Sequence, residues 1–196
     1  MKTLIVNGSP KKDGDTAALV NEIAKSLIGE VQTISCFEKI NPCNDCRYCW
    51  KNPGCCIDDE MQKIYPYLDE CDNIVLASPI WFSSLSGPLL TICSRIQTLY
   101  AASYFRGEPK KNNTKNGVII IVGAEKGTET IPTTNALTIL KFMYARQPCV
   151  ATVYSLDTNN VPAEQDIVAM ENARKAALML NDLYQKKQIE ANRASI

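Results

Sequence analysis

Apolar residues follow two rhythms along this chain. The first is a continuous run stopped by turn residues. Thr3–Asn7 ends at Gly8-Ser9-Pro10, Asn73–Ala77 ends at Ser78-Pro79, and Gly117–Gly123 carries an unbroken Val-Ile-Ile-Ile-Val stretch. Runs that are apolar at consecutive positions predict strands covered on both faces. Val31–Ser35 and Cys149–Tyr154 read as weaker strands of the same kind. The second rhythm is helical. Ala17, Leu19, Val20, Ile23, Ala24 and Leu27 predict a helix over 16–27, and Met61, Ile64, Tyr65 and Leu68 predict another over 59–68. Pro66 is expected to shorten or break that second helix. Further helices are predicted over 86–102, with Pro88 in the first turn, over 134–144, and over 164–184 behind Pro162. The polar stretch 186–196 is expected to fray or to lie over a partner.

Five strands separated mainly by helices, with no linker and no internal repeat, predict one α/β domain over 1–196 with a largely parallel sheet. Binding sites in such sheets lie beyond the carboxyl ends of the strands, near the switch in strand order. The segments that matter are then 8–16, 79–86, 123–130 and the cysteine-rich stretch 43–56.

Composition narrows the chemistry. The chain has 196 residues, 45% of them hydrophobic, which excludes wholesale disorder. Lys+Arg and Asp+Glu are each 21, so the formal charge is zero, which argues against nucleic-acid or anionic-membrane binding. No apolar run is long enough to span a bilayer, and no secretion signal is evident, so a cytoplasmic protein is expected. There is no histidine, so no Ser-His-Asp or Cys-His catalytic site and no histidine-based zinc enzyme can exist. There are nine cysteines, and five of them (Cys43, Cys46, Cys49, Cys55 and Cys56) crowd one segment. An odd count without a secretion signal reads as thiols or metal ligands, not a disulfide framework.

The first loop, Gly8 to Thr16, carries hydroxyls at Ser9 and Thr16 and charges at Lys11 and Lys12 before a helix N-terminus, a setting suited to a phosphate. It has neither a Walker A ending nor a Gly-x-Gly-x-x-Gly fingerprint. The plain alternative is an ordinary loop whose Asp15 or Thr16 caps the helix. The spacing Cys43-x2-Cys46-x2-Cys49-x5-Cys55 can converge four thiolates on an iron–sulfur cluster, with Cys56 a rival for the last position. Zinc, redox disulfides and a packed loop of reduced thiols remain open alternatives. Arg106, Lys110, Lys111 and Lys115 read as a solvated basic loop that attracts anions at most.

Four segments together resemble the flavodoxin-like family of NAD(P)H-dependent FMN reductases and iron–sulfur flavoproteins. They are Gly8-Ser9-Pro10-Lys11 through Gly14-Asp15-Thr16, the cysteine segment with Asp59-Glu60-Met61, Ser78-Pro79-Ile80-Trp81-Phe82 with Ser86-Gly87, and Arg95. The resemblance implies a three-layer α/β/α sandwich around a five-stranded parallel sheet. It implies FMN as cofactor, NAD(P)H as co-substrate, a small-molecule or protein electron acceptor, and a homodimer or higher homo-oligomer. By the same match, Ser9, Lys11, Asp15, Thr16 and Ala17 would hold the flavin phosphate. Pro79, Ile80, Trp81, Phe82 and Ser83 would meet the ring, with Gly123 alongside. Trp81 and Phe82 suit a broad flat ring, although aromatics of a loop also fill cores and subunit interfaces. Hydride transfer needs position more than a protein acid, so no side chain is assigned as catalytic. In some relatives the compact cysteine motif binds a [4Fe–4S] cluster, with Cys43, Cys46, Cys49 and Cys55 as ligands. In others similar cysteines hold none. A non-catalytic flavin-binding redox sensor is a further alternative. The chain departs from the family in having Asp15 where Asn is usual, Leu90 for a common lysine, and Ser94 for the aspartate before Arg95.

Overall fold

The computed structural model describes residues 1–109, 114–146 and 148–194. Strands β1 (Lys2–Asn7), β2 (Glu30–Ser35), β3 (Asn73–Trp81), β5 (Asn116–Val122) and β6 (Ala151–Ser155) form a parallel sheet in the order β2-β1-β3-β5-β6. The two-residue strand β4 (Ser84–Leu85) pairs antiparallel with the end of β3. This is the flavodoxin-like order, in which the chain reverses direction across the sheet between β1 and β3. The expected five-stranded parallel sheet is present, with one hairpin strand added.

Both faces are covered, as the continuous apolar strands require. On one face α1 (Asp15–Ser26) and α7 (Ile167–Ala194) pack Leu19, Ile23, Ala169, Ala173, Ala177 and Leu180 against Ile5, Val75, Ile120 and Val153. The alanine stripe lets α7 lie close to α1. On the other face α3 (Met61–Glu70), α4 (Gly87–Ser94) and α6 (Thr130–Phe142) bury Met61, Leu68, Leu89, Ile92 and Leu140 against Leu4, Ile74 and Ile119. Two further helices frame the cysteine segment: α2 (Tyr48–Lys51) lies within it, and α5 (Gln97–Tyr104) packs beside α2.

Several boundaries differ from expectation. The helix at Pro66 is continuous from Met61 to Glu70. Pro66 sits on its exposed side, where water can serve the Gln62 carbonyl that loses its donor, while buried Ile64, Tyr67 and Leu68 anchor the opposite side. The helix expected over 86–102 is two helices. Arg95 N and Ile96 N donate three residues back, to Ile92 O and Cys93 O at 3.1 Å each, and this tightened turn separates α4 from α5. β3 continues past Ser78-Pro79 to Trp81 because its end is paired to β4. α6 starts earlier than expected, at Thr130. The stretch expected to fray continues α7 to Ala194.

The basic loop is also corrected. Lys115 is buried at 2% exposure, with Nζ 3.5 Å from Asp69 O, and Arg106 pairs with Glu108 at 2.6 Å. Lys110 and Lys111 lie outside the described residues. No helix among the described residues is long and apolar enough to cross a membrane.

Candidate functional site

The loops after β1, β3 and β5 meet because those strands are neighbours in the sheet. Gly8 N donates to Ala77 O at 2.9 Å, and Ser86 Oγ donates to Gly8 O at 2.8 Å. A Cβ on Gly8 would stand 2.4 Å from Leu89 Cβ, so only glycine lets the first loop lie on α4. Gly123 is less constrained, since its added Cβ would meet the movable end of Ile80, Cδ1, at 2.9 Å. Segments 8–16, 79–86 and the start of 123–130 thus form one rim at the carboxyl edge.

Within the first loop, Ser9 is turned inward. Its N–H donates to Asn7 Oδ1 at 3.0 Å, its Oγ accepts from Lys11 N at 3.2 Å, and the Cys36 thiol donates to its carbonyl at 2.9 Å. Thr16 and Ala17 are buried in the first turn of α1. Lys11, Gly14, Asp15 and Ala17 line an open groove of about 510 Å³ shared with Thr158 and Glu164. Asp15, an expected phosphate-loop residue, has a structural partner: its Oδ1 accepts from Ala163 N at 2.7 Å and ties α1 to the 3-10 turn Ala163–Gln165. That bond engages one carboxylate oxygen in a structural contact.

The ring-loop residues form the β3–β4 hairpin. Pro79 and Ile80 lie in β3 and are half-buried, Trp81 is 40% exposed, and Phe82 is fully exposed. Phe82 and Ser83 have φ of 50° and 54°, the pair of left-handed residues that a tight two-residue hairpin requires. Neither is glycine, so the turn holds an exposed aromatic ring at the edge of the rim at a conformational cost.

The cysteine segment is pinned by one buried ion pair. Asp59 Oδ2 and Arg95 Nη1 are 2.6 Å apart, with side-chain exposures of 4% and 0%. Asp59 also accepts from Asn41 N at 2.9 Å and Met61 N at 3.1 Å, while Arg95 donates to the carbonyls of Asn41 and Ile57 at 2.9 and 3.3 Å. One pair therefore joins both ends of the segment to the start of α3 and the turn after α4. Burial works against each charge. The mutual hydrogen bond with its charge attraction, joined at Asp59 by the backbone donors, outweighs burial and holds the Asp59 carboxyl below the usual range and the Arg95 guanidinium above it. Ser94 Oγ accepts from Cys43 N at 2.9 Å, Gln62 Nε2 donates to Cys55 O at 2.8 Å, and Arg106 Nη1 donates to Cys49 O.

This scaffold places Cys43, Cys46, Cys49 and Cys55 around one cavity of about 460 Å³. Arg95, Ile57, Trp50 and Phe105 complete much of its wall, with Trp50 and Phe105 stacked at 3.9 Å between centroids. Cys56 does not line the cavity, although its Sγ is 3.4 Å from Cys46 Sγ. The Tyr48 backbone N–H and then Cys56 lower the Cys46 pKa, whereas burial and the neighbouring sulfurs raise that of Cys49. Among the described residues, no three Cys, Asp or Glu groups are close enough to share a single metal ion. One tetrahedral ion, about 2.3 Å from each sulfur, draws its thiolates within about 3.8 Å of one another. A four-iron cluster would need its four thiolates farther apart than that, and Cys43, Cys46, Cys49 and Cys55 would be the residues to hold it. Arg95 lines the cavity, and its buried Nε has no hydrogen-bond partner. Of the four cysteines outside the segment, Cys71 and Cys93 are buried, and burial pushes each up to about 12, whereas Cys36 and Cys149 are half-buried.

The profile of the family described as NADPH-dependent FMN reductase matches residues 1–155. The chain belongs to this family. An iron–sulfur flavoprotein of Methanocaldococcus jannaschii is 32% identical over 136 residues, 66% of this chain and 67% of that protein. Two further proteins so described match over 61% and 63% of their own length. The iron–sulfur flavoprotein of Methanosarcina thermophila is 27% identical over 94% of this chain and 96% of its own. An NAD(P)H:quinone oxidoreductase from Methanothermobacter marburgensis shares the fold, with a TM-score of 0.65 at 11% identity, covering 90% of this chain and 96% of that one.

Sequence reasoning had named the four cavity cysteines and singled out Arg95. Gln62, Trp50 and Phe105 carry no sequence signal as parts of the cavity's frame, and Ser94 is marked there only as a departure from the family. Only the Asp59-Glu60-Met61 motif hinted at Arg95's partner.

Proposed function

We propose that the chain is an FMN-dependent oxidoreductase that takes hydride from NAD(P)H and passes electrons, by way of a [4Fe–4S] cluster, to a small-molecule or protein acceptor. The observation that carries this reading is the selection among the cysteines: Cys43, Cys46, Cys49 and Cys55 face one cavity, and Cys56 does not. Membership of an FMN reductase family and likeness to proteins described as iron–sulfur flavoproteins support it. FMN exchanges electrons in pairs or singly, and a cluster carries them singly, so the two together join a nicotinamide to a one-electron carrier.

The chain's own part is to bind and position. Lys11 and the N-terminus of α1 attract the flavin phosphate. Trp81 and Phe82 offer aromatic surface to the ring, and Gly123 lets backbone approach it. Arg95 sets its charge against the four thiolates. The absence of histidine is consistent with cofactor-borne chemistry. Self-association into a dimer or higher oligomer belongs to the same proposal, supported by the exposed apolar surface at Tyr104, Phe105, Ile131 and Phe142.

Anaerobic purification followed by flavin, iron and acid-labile sulfide assays tests the reading. We expect one FMN per chain and iron and sulfide in equal amounts near four. Cys55→Ser should lose the iron and keep the flavin, and NADH or NADPH should bleach the flavin. Flavin without iron after anaerobic reconstitution would leave a simple reductase. No flavin after FMN titration would reject the proposal.

A further inference from the structure

Cys46 stands in two places at once. It lines the four-cysteine cavity, and its Sγ lies 3.4 Å from Cys56 Sγ. The residues on either side of it, Asp45 and Arg47, both have left-handed backbone, with φ of 53° and 59°, so the chain reverses tightly around this cysteine. Both thiols are exposed, and a soluble oxidant can reach them. About 1.4 Å separates their present approach from a disulfide's roughly 2.05 Å. The loop from 41 to 47 has no regular secondary structure that would resist so small a shift.

We propose that Cys46 and Cys56 form a reversible disulfide in the cluster-free chain, which withdraws Cys46 from the cavity and makes cluster assembly depend on the thiol redox state. The second half of this inference rests on the cluster reading above. The oxidant is a low-molecular-weight disulfide. One of the two cysteines, as thiolate, attacks a sulfur of that disulfide and releases one small thiol, leaving a mixed disulfide on the protein. The other cysteine then displaces the second small thiol and closes the Cys46–Cys56 bond. The two cysteines together lose two electrons and two protons, and both end on the two released small thiols. A sulfur engaged in a disulfide is not the thiolate that iron binds, so the cavity keeps three ligands of its four. Excess small thiol reverses both steps and returns Cys46. Cys56 thereby acquires a role that needs it close to the cavity but outside it.

The test uses the full-length chain, freed of iron and fully reduced, then treated anaerobically with glutathione disulfide. Peptide mapping should find one internal link joining Cys46 to Cys56, with the loss of two of the nine thiols. Subsequent supply of ferrous iron and sulfide should give no cluster absorption until a reducing thiol is added. Cys56→Ser, treated in the same way, should carry no internal link. Once reduced, it should take up as much iron as reduced wild type, because Cys56 is not a ligand. A link between other cysteines, or none, overturns the proposal, as does full iron uptake by the chain once its Cys46–Cys56 link has formed. If the reduced wild-type chain itself takes up no iron, the cluster reading falls and the gating with it, and the mapped link still decides the disulfide.

Discussion

At the scale of single residues, the Asp59–Arg95 pair governs the cysteine segment. Each charge is fully enclosed, and their shared contacts fix Asn41, Ile57 and Met61. Removing one member of a buried pair leaves the other uncompensated, typically at about 3–5 kcal/mol. We expect Asp59→Asn to lower stability by about that amount in urea unfolding at pH 7. The pH dependence has a definite sign. Because the folded pKa of Asp59 is depressed, its stabilisation is full above the unfolded value of about 3.9 and is lost as pH falls through the lower folded value. The gap between wild type and Asp59→Asn should therefore narrow in acid, and a gap constant from pH 7 into strong acid would contradict the assignment. Arg95 could be singled out from the sequence because a motif marks it. Its partner lies 36 positions away, and no local pattern joins the two.

Among the elements, the β3–β4 hairpin sets shape against conformational preference. Phe82 and Ser83 occupy left-handed positions that glycine adopts without penalty. Ser83→Gly should stabilise the protein by about 1 kcal/mol in thermal or chemical unfolding, since the Ser83 side chain has no hydrogen-bond partner among the described residues. Phe82→Gly should give a similar gain, because the fully exposed ring packs on little of the chain. If that ring meets the flavin, the same change should weaken FMN binding in a fluorescence titration, whereas Ser83→Gly should not. Stabilisation with unchanged FMN affinity would remove Phe82 from the site. The hairpin itself was not legible. Apolar periodicity marked β3 only to Ala77, since the continuation depends on pairing with a strand of two residues. The break between α4 and α5 was hidden for a related reason: the apolar spacing runs through it, since Ile96 in the turn is itself buried in the core.

For the whole molecule, the alternation of apolar runs and helical faces was sufficient to read the layers, because a strand buried on both sides admits no polar alternation. The order of the strands is a different matter, since periodicity alone carries no such information. The C-terminal helix shows where legibility by family ends and packing takes over. The family match stops at 155, yet Ala169, Ala173, Ala176, Ala177 and Leu180 of α7 are completely buried. Asn181 extends the contact, accepting from Ile28 N at 3.1 Å and donating to Ser26 O at 2.9 Å. Beyond Tyr184 the side chains through 193 are exposed, and the ion pair of Lys187 with Asp72, at 3.4 Å, is of the surface kind that contributes about 0–1 kcal/mol. Tolerance to truncation should follow this burial and not the edge of the family match. A chain ending at Tyr184 should unfold cooperatively within about 1 kcal/mol of the full chain. A chain ending at Val161 should lose cooperative unfolding, because the core on the α1 side of the sheet would be open to water. Cooperative, near-native unfolding of the shorter chain would show that α7 is an accessory to the sandwich and not its third layer.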